Sequence, residues 1–170
     1  MNTEELKALQ APLKEQYRED PKSAVITLKA EGQLGEGISC RVDTGRALVE
    51  AGLHPATGGS GLQACSGDML LEALAACAGV TLGAVATAIG VAVRSGTVRA
   101  EGDLDFRGTL GVSKEAPVGF QAIRLHFDLD TDATAEQLAT LLKLTERYCV
   151  VYQTIRQGVA TEASYSVRDL

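Results

Sequence analysis

Residues 69–93, MLLEALAACAGVTLGAVATAIGVAV, carry one charged side chain, Glu72, and offer no polar face, which narrows the folds open to this chain. About 20 apolar residues suffice to cross a bilayer, so length alone permits a membrane span. The composition of the run argues against one. Ala and Gly dominate, Leu is sparse, Thr81 and Thr87 are polar, and no cluster of Lys or Arg marks a flank. A helix that is apolar all round equally suits the buried centre of a soluble protein. The expected helix starts near Gly67 with Ser66 as its cap, carries Asp68 in its first turn, runs to about Ile89 and stops at Gly90.

Such a helix needs a sheet to pack on, and the residues after it supply strands. Val98, Leu104 and Phe106 fall among charged neighbours in VRSGTVRAEGDLDFRGT. In residues 123–129, Ile123, Leu125, Phe127 and Leu129 alternate with Arg124, His126 and Asp128, the pattern of an antiparallel sheet wet on one face. Earlier in the chain, Val25–Leu28 and Ile38–Val42 read as a hairpin closed by EGQLGEG. LHPATGGSG, residues 53–61, reads as loop. Thr134 and Gln137 form a capping-box pattern ahead of the stripe Leu138, Leu141, Leu142 and Thr145, a helix ending near Arg147. A second helical piece follows from about Val150 to Gln157, and Val159 to Val167 alternates as a last strand. Pro12 is expected to interrupt any helix in residues 3–19, making residues 1–22 a partly exposed lead-in. With no internal repeat or linker, residues 1–170 read as one α+β domain.

Charge and cysteine content limit the function classes. Twenty-two acidic against 16 basic residues, with no Lys or Arg run, exclude broad contact with nucleic acid and disfavour anionic membranes. The opening MNTEELKALQ lacks the basic-then-apolar order of a signal, so the cytoplasm is the expected location. Cys40, Cys65, Cys77 and Cys149 are too dispersed for a disulfide framework, and with His54 and His126 as the sole histidines and no CxxC, neither a metal nor an organic cofactor is expected. The loop lacks GxxxxGK[ST], which removes a phosphate cradle. His54 could serve as a base beside Cys77, but no orienting Asp or Asn is identifiable.

SGDMLLEALAACAGVTLGAVA resembles the central-helix motif of the OsmC/Ohr family, and TERYCVVYQTI resembles its second cysteine segment. Both motifs occur in the family's order, and the likeness covers roughly residues 24–168. The resemblance implies an OsmC-like α+β fold: antiparallel sheets wrapped around long central helices in an intertwined homodimer. The small residues Ala75, Gly79, Gly83 and Ala86 would let such helices approach closely. It also implies thiol-dependent reduction of an organic hydroperoxide or hydrogen peroxide. Cys77 corresponds to the attacking thiolate, Cys149 to the thiol that condenses with its sulfenic acid, and an external dithiol or thiol to the reductant.

Family peroxidases activate the cysteine with an arginine held by a glutamate. Here Ser66-Gly67 stands where a Pro-Glu pair would be, with Asp68 one place later; Arg46, Arg41 and Arg107 are the candidate cations, each also readable as a solvated surface charge. Taken alone, Cys77 among alanines reads as a buried structural thiol, whereas Cys149 has the stronger local case, since a helix N-terminus would stabilise its thiolate. Cys40 reads as a bystander and Cys65 as a bystander or spare resolving thiol. The competing function is a non-enzymatic dimer of the same fold that binds a small apolar ligand or partner, with the thiols packing or sensing redox state.

Overall fold

A computed structural model describes residues 3–34, 40–42 and 51–166. The chain is an α+β fold in which α1 (Thr3–Glu19) leads into β1 (Val25–Leu34) and β2 (Cys40–Val42), followed by the long α2 (Ser66–Ile89). Then come β3 (Ser95–Asp105), a single helical turn α3 (Phe106–Thr109), β4 (Ala122–Asp130), α4 (Ala135–Tyr148) and α5 (Val150–Gln157). The strands form one antiparallel sheet in the order β2-β1-β3-β4.

Register explains the two faces of this sheet. Val98 pairs with Phe127 and Ala100 with Leu125, so the apolar residues of β3 and β4 fall on one side, against α2. Glu101 pairs with Arg124 on the opposite side, where Arg124 also binds Asp103 at 2.6 Å and Asp103 accepts the Thr27 hydroxyl at 2.7 Å. Along β4, exposed and half-buried residues alternate without exception. The wet face is thus a charged ladder of solvent-screened pairs that contribute little, and burial on the other face supplies the stability.

That burial centres on α2, which packs against β1, β3, α4 and α5. Leu71, Leu74, Ala75, Ala78, Leu82, Val85 and Ala86 form its inward stripe. Each fully enclosed leucine contributes about 2 kcal/mol. One core cluster joins Leu71, Leu74, Ala75 and Ala78 to Val98, Ala100, Phe106 and Cys149, and a second joins Leu82, Val85 and Ala86 to Val91 and Leu141. The helix is long and apolar enough to cross a membrane by composition, but this stripe lies against sheet and helices. Gly90 ends it in the left-handed conformation, φ 71°, with its amide bonded back to Ala86 and Thr87.

Several expectations need correction. Pro12 lies inside a continuous α1 and does not break it. Its cost of about 3 kcal/mol in a helix interior is offset by the next turns, where Leu13 packs on the core and Tyr17, 3% exposed, donates its hydroxyl to the Ala56 carbonyl at 2.7 Å. Helix α1 is therefore anchored to the core rather than a lead-in. Ser66 does not cap α2: Cys65 occupies the N-cap position without a side-chain bond, and Ser66 is already helical. Phe106 leaves the strand to open α3, because the buried Asp105 carboxylate caps the Arg107 amide there. Residues 158–166 are irregular and exposed, with Tyr165 at 92%. Alternation makes a strand only beside an edge that receives it, and among the described residues no strand pairs with this segment.

The hairpin is present, with β1 longer than expected and paired to β2 from Gly32↔Val42 to Leu34↔Cys40. Residues 51–64 form a loop closed by a bridge between Ala51 and Ala64 and tightened by a 3-10 turn at Pro55–Thr57. Gly59 is required there, since a Cβ would lie 1.6 Å from the Leu53 carbonyl oxygen.

Candidate thiol site

α4 and α5 are separated by one residue, Cys149, whose backbone is extended at φ −71° and ψ 109°. It therefore ends one helix and caps the next. Its amide bonds the Thr145 carbonyl at 2.9 Å, while its Sγ accepts the Tyr152 amide at 3.4 Å, a role usually taken by Ser, Thr, Asp or Asn. The capping box of Thr134 and Gln137 fixes the other end of α4, and Thr145 and Leu141 bury it against α2. Cys149 is fully enclosed in the core shared with α2.

The break leaves the first amides of α5 without carbonyl partners in their own helix. Those of Val150 and Val151 reach the sulfur of Cys77, half-buried on α2. The Cys149 thiol and the Thr81 side chain lower the pKa of Cys77 in the same sense. Burial pushes the Cys77 thiol up, but the Val151 amide, Cys149, Thr81 and the Val150 amide outweigh it, and the net effect holds Cys77 below an ordinary thiol. Cys149 moves the other way. Its burial comes first, and although the Tyr152 amide opposes it, the neighbouring Cys77 adds to the rise, which reaches about 11.

This asymmetry reverses one sequence expectation. The N-terminus of α5 does act on Cys149, through the Tyr152 and Val151 amides, but burial and the neighbouring Cys77 outweigh it and raise Cys149, while Cys77 is the thiol that is lowered. The amides were invisible in the sequence because their direction depends on how α5 docks on α2. Thr81 carried a signal that was passed over, its position one turn after Cys77.

Arg46 is outside the described residues. Arg107 is bound by the buried Asp105 carboxylate, with its Nε 3.0 Å from each carboxylate oxygen. Asp68, nine residues before Cys77 on one helix and thus about 13 Å away along its axis, faces His54. Burial raises Asp68 and lowers His54, and each charge counters the shift of the other. His54 stacks on Phe106 with centroids 4.9 Å apart, and its Nδ1 accepts the Ala56 amide at 3.0 Å. Asp68 is thus the carboxylate whose charge acts on His54, at the opening turn of α2. Cys65 precedes Asp68, about 18 Å of helix from Cys77, beyond the 7 Å separation a disulfide tolerates.

A cavity of about 750 Å³ lies between α2, β4 and α5, and neither Cys77 nor Cys149 is among its lining residues. Leu70, Leu74, Ile123, Leu125 and Ile155 make it mainly apolar, and Arg156 stands among its lining residues. Leu74 is one turn before Cys77, and Tyr152 also lines the cavity while its amide holds the Cys149 sulfur. Among the described residues, no group of His, Cys, Asp and Glu is arranged to hold a metal ion.

Comparison with known proteins finds a family profile and a solved structure that this chain resembles. The family profile described as OsmC-like protein matches residues 59–164, a span that holds α2, both paired cysteines and α5. A crystal structure of an OsmC-like hydroperoxide resistance protein from Jannaschia sp. CCS1 superposes with a TM-score of 0.63 at 16% identity, covering 86% of this chain and 97% of that one. Curated proteins give no match.

Proposed function

The chain belongs to the OsmC-like protein family, and from that premise we propose that it reduces hydroperoxides with Cys77 as nucleophile and Cys149 as resolving thiol. The observation that carries this reading is that Cys77 packs on the same core cluster as the buried Cys149, which caps α5, an arrangement that lowers the pKa of Cys77 and pushes that of Cys149 up to about 11. The peroxide theme is supported by the hydroperoxide resistance protein that shares the fold.

In this reading the Cys77 thiolate attacks one peroxide oxygen. The O–O bond breaks, Cys77 becomes a sulfenic acid, and the departing alkoxide or hydroxide takes a proton to leave as alcohol or water. The Cys149 sulfur then attacks the sulfenic sulfur, forming the Cys77–Cys149 disulfide and releasing water with the proton from Cys149. An external dithiol restores both thiols and leaves as its own disulfide. The sum is one peroxide and one dithiol converted to one alcohol, one water and one disulfide. No metal or organic cofactor enters. The apolar cavity next to Leu74 and Tyr152 suits the hydrocarbon part of an organic hydroperoxide.

The protein is further proposed to act as a cytoplasmic homodimer. Met69 and Val80, which share an azimuth on α2 away from its buried stripe, are each 38% exposed in one chain, an apolar surface that a second copy would cover. A second reading, a non-enzymatic dimer that uses the cavity for a small apolar ligand, is favoured by the size and apolar lining of that space.

Peroxide consumption with excess dithiol separates the two. Wild type should turn over with an organic hydroperoxide, Cys77→Ser should not react, and Cys149→Ser should react with one equivalent and then lose activity. Equal inactivity of all three proteins would reject the peroxidase reading in favour of the ligand-binding one.

A further inference from the structure

We propose that the cavity between α2, β4 and α5 binds an aliphatic carboxylate, its chain among the apolar side chains and its head group on Arg156, which rests on the cavity being the ligand site that both readings above invoke. Arg156 then decides which long-chain molecules the site holds.

Local periodicity builds the cavity. Leu70 and Leu74 are four apart on α2, Ile123 and Leu125 alternate onto one face of β4, and Tyr152 and Arg156 are four apart on α5, so each element turns one face to the same space. Phe120 also lines it and packs its ring against Gly102, where an added Cβ would lie 2.5 Å from that ring. A volume of about 750 Å³ falls within the range of small-molecule sites, and a hydrocarbon chain gains affinity with each methylene it buries there.

The state of Arg156 sets the head group. Arg94, Arg107 and Arg124 are each hydrogen-bonded to a carboxylate, those of Asp130, Asp105 and Asp103 in turn. Arg156 differs: its ion-pair partner among the described residues, Glu146, is 3.8 Å away, beyond hydrogen-bond reach, and its guanidinium stands 6.0 Å from the centroid of the Tyr152 ring, which also lines the cavity. With its side chain 64% exposed, the guanidinium offers its planar fork where the apolar wall meets water, so a carboxylate can bind it without leaving solvent. An aliphatic carboxylate has the same division, a chain for the wall and a planar anion for the fork. Glu146 is then its competitor for Arg156.

The test is isothermal titration calorimetry of the reduced protein with decanoate and with decanol, below the micellar range and at low salt, in wild type, Arg156→Gln and Glu146→Gln. Wild type should bind decanoate. Arg156→Gln should weaken decanoate about fivefold, the upper scale of a solvent-exposed ion pair, and leave decanol unchanged, with the helix intact by circular dichroism because Arg156 lies in the last turn of α5. Glu146→Gln should bind decanoate at least as tightly as wild type. Should Arg156→Gln not fold, added salt takes its place, since it should weaken decanoate and spare decanol. A decanoate analogue with a photoreactive diazirine on its chain should label residues 119–125 or 152–156, read by mass spectrometry. The proposal is overturned by a wild type that binds no decanoate, by an Arg156→Gln variant that keeps its decanoate affinity or loses both ligands alike, by weaker decanoate binding in Glu146→Gln, or by labelling confined elsewhere. Decanoate carries no peroxide, so absent hydroperoxide turnover would reject the peroxidase reading alone, and turnover without decanoate binding would reject the carboxylate site alone.

Discussion

Cys77 packs on the core cluster that holds the buried Cys149, and the two thiols are shifted in opposite directions, Cys77 lowered and Cys149 raised. One residue accounts for both halves of this arrangement. By ending α4 and capping α5, Cys149 brings its own sulfur to the site and frees the amides that act on its partner.

Reactivity should follow that division. Near neutral pH, iodoacetamide is expected to label Cys77 first, with a midpoint below that of an ordinary thiol, while Cys149 resists until far more alkaline conditions, its own value being about 11. Peptide mapping after partial alkylation reads the order. Prior labelling of Cys149 would contradict the assignment of roles.

Val150→Pro isolates the contribution of one amide. Proline is tolerated at the first helical position, and the extended backbone of Cys149, ψ 109°, already suits a residue that precedes proline. Helix α5 should persist by circular dichroism. Loss of the donor should raise the Cys77 alkylation midpoint by about half a pH unit, and an unchanged midpoint would show that this amide does not act on the sulfur.

Much of this frame can be read in the sequence, because it depends on local pattern. Strand β4 alternates in burial as Ile123 to Leu129 alternate in polarity, Thr134 and Gln137 make both bonds of the capping box, and Gly90 ends α2. What escaped the sequence depends on distant partners. Pro12 is accommodated because Tyr17 and Leu13 are anchored in the core, and residues 158–166 stay irregular because their alternation meets no strand. The pairing of Cys77 with Cys149 could be inferred from family resemblance alone, since no local pattern states which helix end will face which sulfur. His54 and Asp68 likewise meet only after the 51–64 loop folds back over the start of α2.

Tyr17→Phe tests that anchoring. The change keeps the ring and removes the 2.7 Å bond to the Ala56 carbonyl, so it should cost about 1–2 kcal/mol in denaturant unfolding. A neutral effect would indicate that water satisfies the carbonyl in place of the hydroxyl.

Asp105 should make stability pH-dependent. The Arg107 guanidinium bound to it holds its carboxyl below the ordinary carboxylate range, with burial opposing. Since the folded value lies below the unfolded one, the unfolded chain binds the proton first. The contribution is therefore complete above the ordinary value and is lost as pH falls through the folded value. Denaturant midpoints in acid should fall more steeply for wild type than for Asp105→Asn, which lacks the titrating group. Parallel acid profiles would assign the acid sensitivity to other carboxylates.

The central claim concerns the two sulfurs and is tested most directly by mass-spectrometric mapping after one equivalent of an organic hydroperoxide. The expected product is a Cys77–Cys149 disulfide that forms before any sulfinic acid and is reversed by dithiol. Peroxide that leaves both thiols free, over-oxidises Cys77 without bridging, or bridges Cys77 to Cys65 would contradict the account.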